Sequence, residues 1–305
     1  MLAALALWLL AGPTVVRLGG NPIVTPASSP TLGDNVNGPS LIRAPQWLAH
    51  PLGKYYLYFA HHQGKYIRLA YADRLEGPWK IHEPGTLNLD QVPICHDHIA
   101  SPDVHVNDAA HKITMYFHCP TKGEGPNITD QMTLAASSSD GIHFTTNPQI
   151  LGPSYFRVFQ WQGYYYAIAR GGLLFRSRDG TSRFEAGPRL FSKQDPLLRH
   201  AAVRVQGDVL SVYYSRIGDR PERILVAEVK LTSDWRNWEP SAPRTVLEPE
   251  VKYEGTDLPL AESESGDIHV RARQLRDPAI FEEAGRLYLV YSIAGESGLG
   301  IAEIR

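Results

Sequence analysis

The stretch QLRDPAIFEEAGRLYLVYSIAGESGLGIAEIR, Gln274 to Arg305, decides the fold. It holds three short runs rich in β-branched and aromatic residues: Pro278–Phe281, Leu287–Tyr291 and Gly300–Glu303. The charged turn Glu282–Arg286 separates the first two, and Gly and Ser residues separate the second from the third. Such runs read as antiparallel strands joined by tight turns. A single hairpin unit cannot cover both of its faces, so the pattern should recur.

It does recur. Copies begin at Asn37, Ser101, Tyr155 and Arg199, which with Gln274 makes five. In each, an inner run precedes a polar turn, an aromatic-rich middle run and a third run. Repeats of short strands at roughly 40–50-residue spacing predict an all-β, five-bladed β-propeller, here a single domain over residues 13–305. The last copy stops at its third strand. The segment Thr14–Thr25, TVVRLGGNPIVT, is therefore expected to add the missing outer strand and close the ring.

Composition narrows the partners. With 43% hydrophobic residues there is material for a core, and a net charge of −2 gives no footprint for nucleic acid or an anionic membrane. No apolar run is long enough to span a bilayer. Residues 1–12 open with MLAALALWLL, Met1–Leu10, which has the apolar character of a secretory signal without a preceding Lys or Arg. Localisation stays open on this reading: secreted or periplasmic if the segment is a signal, cytoplasmic otherwise. Cys95 and Cys119 lack CxxC spacing and are expected to be buried free thiols.

Several motifs point further. Asn21-Pro22-Ile23, a Pro-led inner strand, Gly53-Lys54-Tyr55-Tyr56-Leu57-Tyr58 and Ala72-Asp73-Arg74-Leu75-Glu76-Gly77-Pro78-Trp79 follow one another. Together they resemble the opening of the five-bladed propeller glycosidases, glycoside hydrolase family 43 and its arabinanase, β-xylosidase and invertase-type relatives. Ser101-Pro102-Asp103-Val104 resembles their Trp-Ala-Pro-Asp-Val signature in blade two. Arg276-Asp277-Pro278 resembles the Arg-Asp-Pro motif of the invertase branch, which there lies in a middle blade.

That resemblance implies the propeller fold and cleavage of a glycosidic bond, but the chain departs from the family at its acids. The family's blade-one catalytic Asp corresponds to Gly38, with Asn37 before it; the blade-three acid falls near Ser154–Tyr155, and the blade-four Glu near Arg199-His200. The related α-neoagarobiose hydrolases are similar in using a His as general acid, which keeps His200 in view.

In a propeller, the first residues of the inner strands face one axial funnel. That places Asn37 and Ser40, Asp103 and His105, Tyr155 and Arg157, Arg199 and His200, and Arg276 and Asp277 around it. Glycosidic cleavage needs a proton donor and an anion flanking the bond. Asp103 or Asp277 is the expected base or its electrostatic partner, and non-adjacent blades suit the wider spacing of an inverting enzyme. His200 is the expected acid, since imidazole titrates near neutrality. Arg157, Arg199 and Arg276 are expected to bind substrate, with Asn37, Ser40, His62 and His105 on the wall. The bland alternatives are turn-capping for the two Asp residues and a wall position for His200.

Consecutive strand residues point to opposite faces, so His61 and His62 cannot both be metal ligands. With no zinc-type Cys or HExxH motif, no metal is assigned. Leu247–Arg273 falls outside the repeat; its Glu254 is an alternative acid, or part of a solvated acidic loop. Lys122–Asp130 is expected to form rim.

The reading is inverting hydrolysis of a plant or algal oligosaccharide, with carbohydrate as partner and no required cofactor; a structural cation on the propeller axis stays open. Two alternatives remain: a phosphorylase, its phosphate held by Arg157, Arg199, His200 and Arg276 as in the related mannoside phosphorylases, or a propeller that binds sugar without turnover.

Overall fold

The computed structural model describes residues 14–121, 131–191 and 197–305; Met1–Leu10 and Lys122–Asp130, read above as signal-like segment and rim, lie outside them. Five four-stranded antiparallel sheets form the blades of a propeller. Their inner strands are Asn37–Arg43, Ala100–Asn107, Arg157–Trp161, Leu198–Gln206 and Arg276–Glu283. The middle strands, in the same order, are Tyr55–Ala60, Lys112–Pro120, Tyr164–Ala169, Val209–Arg216 and Arg286–Ser292.

Blade five is completed from the other end of the chain. Val15–Arg17 pairs antiparallel with Leu299–Ile304. Arg17 then reaches beyond the sheet, donating from Nε and Nη2 to the two oxygens of Glu254 at 2.7 and 2.9 Å.

Five apolar clusters fill the five seams between neighbouring blades. The alternation of the strands explains this, because each sheet presents one apolar face to each neighbour. Tyrosines of the middle strands also stitch blades together. Tyr58 donates to Gly141 O at 2.8 Å and Tyr116 to Gly180 O at 2.7 Å, each reaching the corner of the next blade. Those corners are Asx turns: Asp140 Oδ1 accepts from the amides of Ile142 and His143, and Asp179 Oδ1 from those of Thr181 and Ser182. Gly141 has φ +77°, and a Cβ there would meet the Tyr58 hydroxyl at 3.0 Å, so the Asp-Gly pair is required by the seam.

The cysteines correct the sequence reading: Cys95 and Cys119 form a disulfide, with Cα atoms 5.7 Å apart. Spacing failed as a signal because the bridge ties the lead-in of blade two to the end of its middle strand, which only the hairpin brings together. Closing a loop with a sequence separation of 24 should stabilise the fold by roughly 3–4 kcal/mol on the chain-entropy account. Urea midpoints with and without reductant will read this as a lowered midpoint in the reduced protein.

In four blades the inner strand loses register at one place. The skip falls between Asn37 and Ser40, Ala100 and Asp103, Leu198 and Ala201, and Arg276 and Ala279. Each skip is a bulge, which re-aims the side chains it carries. Gly38, Ser101 and Asp277 occupy the first bulge position with φ of +56°, +50° and +49°, and Tyr155 has φ +69° at the matching point of blade three. Left-handed backbone is unfavourable for Tyr, Ser and Asp, so these residues are held there by their surroundings.

Candidate active site

Antiparallel pairing puts two tiers of residues on the same face of the ring. One tier is the bulged start of each inner strand. The other is the turn that follows each middle strand. A cavity of about 120 Å³ lies between them, lined by Tyr155, Leu198, Arg199 and His200 from the first tier and by His62, Arg170, Ile217 and Glu296 from the second. Gln131, Ser265 and Gly266 also line it.

Two imidazole–carboxylate pairs face this space. In the first, His200 Nδ1 makes a short ion pair with Asp277 Oδ1, and Ser292 Oγ donates to Asp277 Oδ2 at 3.1 Å. Both side chains are buried. Burial alone would raise the Asp277 pKa, but His200, with Arg276 and Arg199 beyond it, holds this carboxyl well below its usual range. Asp277 therefore stays an anion behind the ring, and Nε2 of His200 is the nitrogen left for the cavity.

In the second pair, His62 Nδ1 lies 3.2 Å from Glu296 Oε2. Glu296 is nearly saturated: Asn35 and Asn37 donate to Oε2 at 2.5 and 3.0 Å, and Arg276 donates to Oε1 at 3.1 Å. Burial opposes the charge, yet the His62 hydrogen bond and Arg276 keep the Glu296 pKa lowered. His62 is affected in the opposite direction; burial lowers its pKa, but the bond to Glu296 outweighs that and the net shift is upward.

Tyr155 wedges between the rings of His118 and His200, with centroids 4.4 and 3.9 Å away. Burial, with the Asp277 charge, pushes its hydroxyl up to about 12. Burial also drives His118 well below the ordinary histidine value, with His98 and His200 adding to the effect, so His118 is neutral.

Other residues expected at the funnel are differently employed. Asp103 and His105 pair at 2.9 Å, but they line a separate cavity of about 340 Å³ at the opposite mouth of the axis. Asp103 also accepts from Val158 N at 2.8 Å. Burial notwithstanding, His105 and Arg157 keep the Asp103 pKa low, and Asp103 in turn raises that of His105. Ser40 Oγ accepts from Val104 N at 2.9 Å, a tie between blades one and two. Asn37 is at the upper mouth, bonded to Asn35 and Glu296.

The arginines are spent on the protein itself. Arg157 donates to Ala201 O at 2.9 Å and to Pro102 O at 3.1 Å, bolting blade three to blades two and four across the axis. Arg199 donates to Glu222 at 2.8 Å, to Gly266 O at 3.2 Å and to Glu264 O. Arg276 is 1% exposed and sits between Glu222 and Glu296, 3.1 Å from each. Glu254 lies apart from the cavity: besides Arg17, it accepts from Tyr291 Oη and Glu250 N, both at 2.9 Å, and clasps the seam of blade five.

Glu222 and Glu296 were missed by reading strand starts alone. Both stand in turns after middle strands, and the signal available was an acid within the short turns Gly218–Arg223 and Ile293–Gly298. Among the described residues, no group of three or more His, Cys, Asp or Glu is arranged to hold a metal, and no helix is long and apolar enough to cross a membrane.

No protein-family model matches the chain. Its fold is similar to a member of the GH130 family of mannoside phosphorylases, which contains glycoside hydrolases that target β-1,2 mannosidic linkages in Candida mannan (TM-score 0.68, 12% identity, 98% of this chain and 95% of that one). It is similar also to CoXyl43, a GH43 β-xylosidase/α-arabinofuranosidase from a compost microbial metagenome, crystallised with xylotriose (TM-score 0.63, 15% identity, 95% and 94%). In sequence it is 37% identical over 323 aligned positions to the uncharacterized protein R118 of Acanthamoeba polyphaga mimivirus, covering 95% of this chain and 90% of that protein. The chain thus belongs to one family with that mimivirus protein and has the five-bladed propeller fold of the GH43 and GH130 glycosidases.

Proposed function

We propose that the protein hydrolyses a glycosidic bond in the upper cavity, with the His200–Asp277 and His62–Glu296 pairs as its acid–base machinery. The observation that carries this is the placement of two imidazoles, each backed by a buried carboxylate, on the wall of one small cavity. His62, whose pKa is raised, gives its proton to the glycosidic oxygen. His200 takes a proton from water, whose oxygen bonds to the anomeric carbon as the bond to the leaving group breaks. Asp277 stabilises the imidazolium so formed and fixes its tautomer, while the Glu296 anion lies against the positive charge that develops on the sugar. The two histidines come from blades four and one, on either side of blade five, so water and leaving group fall on opposite sides of the sugar. A single displacement of this kind inverts the anomeric centre.

The test is turnover of aryl glycosides and of plant and algal oligosaccharides, with proton NMR of the first-formed anomer. Release that survives without phosphate and collapses in His200→Ala supports hydrolysis. Phosphorolysis is favoured by one feature, Arg170, which lines the cavity and has no ion-pair partner among the described residues; turnover strictly dependent on phosphate would establish it. Saturable sugar binding with no turnover would reduce the propeller to a binding module.

The pH profile follows from the second pair. Because His62 must be protonated to act, activity falls as pH rises through its raised pKa. In Glu296→Gln the raising partner is gone while burial remains, so the alkaline limb should move to lower pH. The linked stability has the same sign: it is present below the unfolded histidine value, about 6.5, and is lost as pH rises through the folded value. A limb that stays in place in Glu296→Gln would remove His62 from the donor role.

A further inference from the structure

The segment between blades four and five carries no strand from Glu248 to Leu275, yet it is tied down along its length. On the blade-four side, Gly218 N donates to Ser263 O at 2.9 Å and Ser263 N to Asp219 O at 3.1 Å. At the centre, the Arg199 guanidinium holds the carbonyls of Glu264 and Gly266, and is itself fixed by Glu222. On the blade-one side, Asn35 donates to Ile268 O at 3.0 Å, and His269 bridges Asp34 at 3.1 Å and Asp267 at 2.8 Å. The segment therefore crosses the mouth from blade four to blade one as a strap, and Ser265 and Gly266 form part of the cavity wall.

From this we infer that the strap makes the cavity a socket for one terminal sugar residue, so that the protein acts on the ends of glycans and not within them. The inference rests on the glycosidase reading above and adds to it the class of substrate. A polymer cleaved internally must lie across the site with sugars continuing in both directions. Here one direction is walled by backbone whose carbonyls are held by a buried arginine. The remaining space, about 120 Å³, is the liquid volume of about four water molecules, which leaves room for no more than one sugar ring. It is well below the roughly 300–1,000 Å³ of sites that enclose larger ligands. Arg199 lines the cavity, but its guanidinium is committed to Glu222 and to the carbonyls of Glu264 and Gly266, so its part is that of a positioning residue that sets the shape of the socket through the strap.

The experiment uses the full chain with xylotriose, arabinotriose and β-1,2-mannotriose. Each is supplied with its non-reducing end free and with that end O-methylated, and products are followed by chromatography from the earliest time points. Cleavage of either bond of a trisaccharide gives one monosaccharide and one disaccharide, so the discriminating quantity is the rate: cleavage at least a hundred-fold slower for the methylated chain than for the free-ended one supports the socket. Equal cleavage of free-ended and methylated chains overturns it while leaving the glycosidase reading intact. No release from any of the six would count against the glycosidase reading and take this inference with it. Arg199→Ala and, because that variant removes a buried partner, the milder surface variant His269→Ala are run beside wild type. Loosening the strap should narrow the free-to-methylated ratio by at least ten-fold in one of them; an unchanged ratio in a folded Arg199→Ala would show that the strap does not set it.

Discussion

Asp277→Asn is expected to lower turnover by about 10²–10⁴-fold, the range typical of acid–base assistance. The substitution is nearly isosteric, and the amide can still accept from Ser292 Oγ, which lies 3.1 Å from the native carboxylate. What disappears is the charge. The native carboxyl is held well below its usual pKa by His200 beside it, so it is an anion throughout the working range. Without that anion the imidazolium formed in the reaction is no longer stabilised, and the ring can take the wrong tautomer. The effect should appear in kcat with little change in KM, because Asp277 lies behind His200 and is not itself part of the cavity lining. A kcat within three-fold of wild type on an otherwise active protein would move the base elsewhere.

The largest stability effect is expected at Glu222. This side chain is fully buried and receives Arg199 Nε at 2.8 Å, Ser215 Oγ at 2.7 Å and the Arg276 guanidinium at 3.1 Å. Glu222→Ala leaves two buried guanidinium groups facing a hole. Breaking a buried ion pair from one side costs about 3–5 kcal/mol, since the surviving charge keeps its desolvation penalty without its partner. Glu222→Gln keeps the acceptor oxygen for Ser215 or Arg199 and should cost less, which separates charge from shape. Denaturant midpoints of both variants, at constant slope, check the ordering. Equal midpoints for Glu222→Ala and wild type would mean that Arg276 is balanced by Glu296 alone.

The blades were legible because each is a local object. Its alternation and its aromatic middle run are read within one stretch of chain, and the missing outer strand of blade five pointed to Thr14–Thr25. The candidate site was legible where it uses strand starts, and at His62, which follows the middle strand of blade one. His200 and Asp277 could be placed on the funnel because the bulge that aims them is part of the repeat. Glu222 and Glu296 lie in turns, and which turn folds over the axis depends on the tilt of the whole blade. Arg157, Arg199 and Arg276 were identified as funnel residues but not as ties, since a guanidinium bound to carbonyls or carboxylates looks in sequence like one waiting for substrate. The Cys95–Cys119 bridge escaped for a related reason: hairpin register, not spacing, brings its ends together.

Pairing Val15–Arg17 with Leu299–Ile304 also sets an order of events during synthesis. A ribosome releases the early strand while the rest of the chain is still unmade, so that strand waits without its ladder partner until nearly the whole length has emerged. Blades one to four can each assemble behind it from local hairpins. The seam comes last, and it joins residues separated by a sequence distance of 237 at the Arg17–Glu254 clasp. Contacts so remote are slow to form because a very long loop must close first. Until they do, Glu254 has no guanidinium to neutralise it, and the apolar faces of blades one and five stand open to solvent and to other nascent chains.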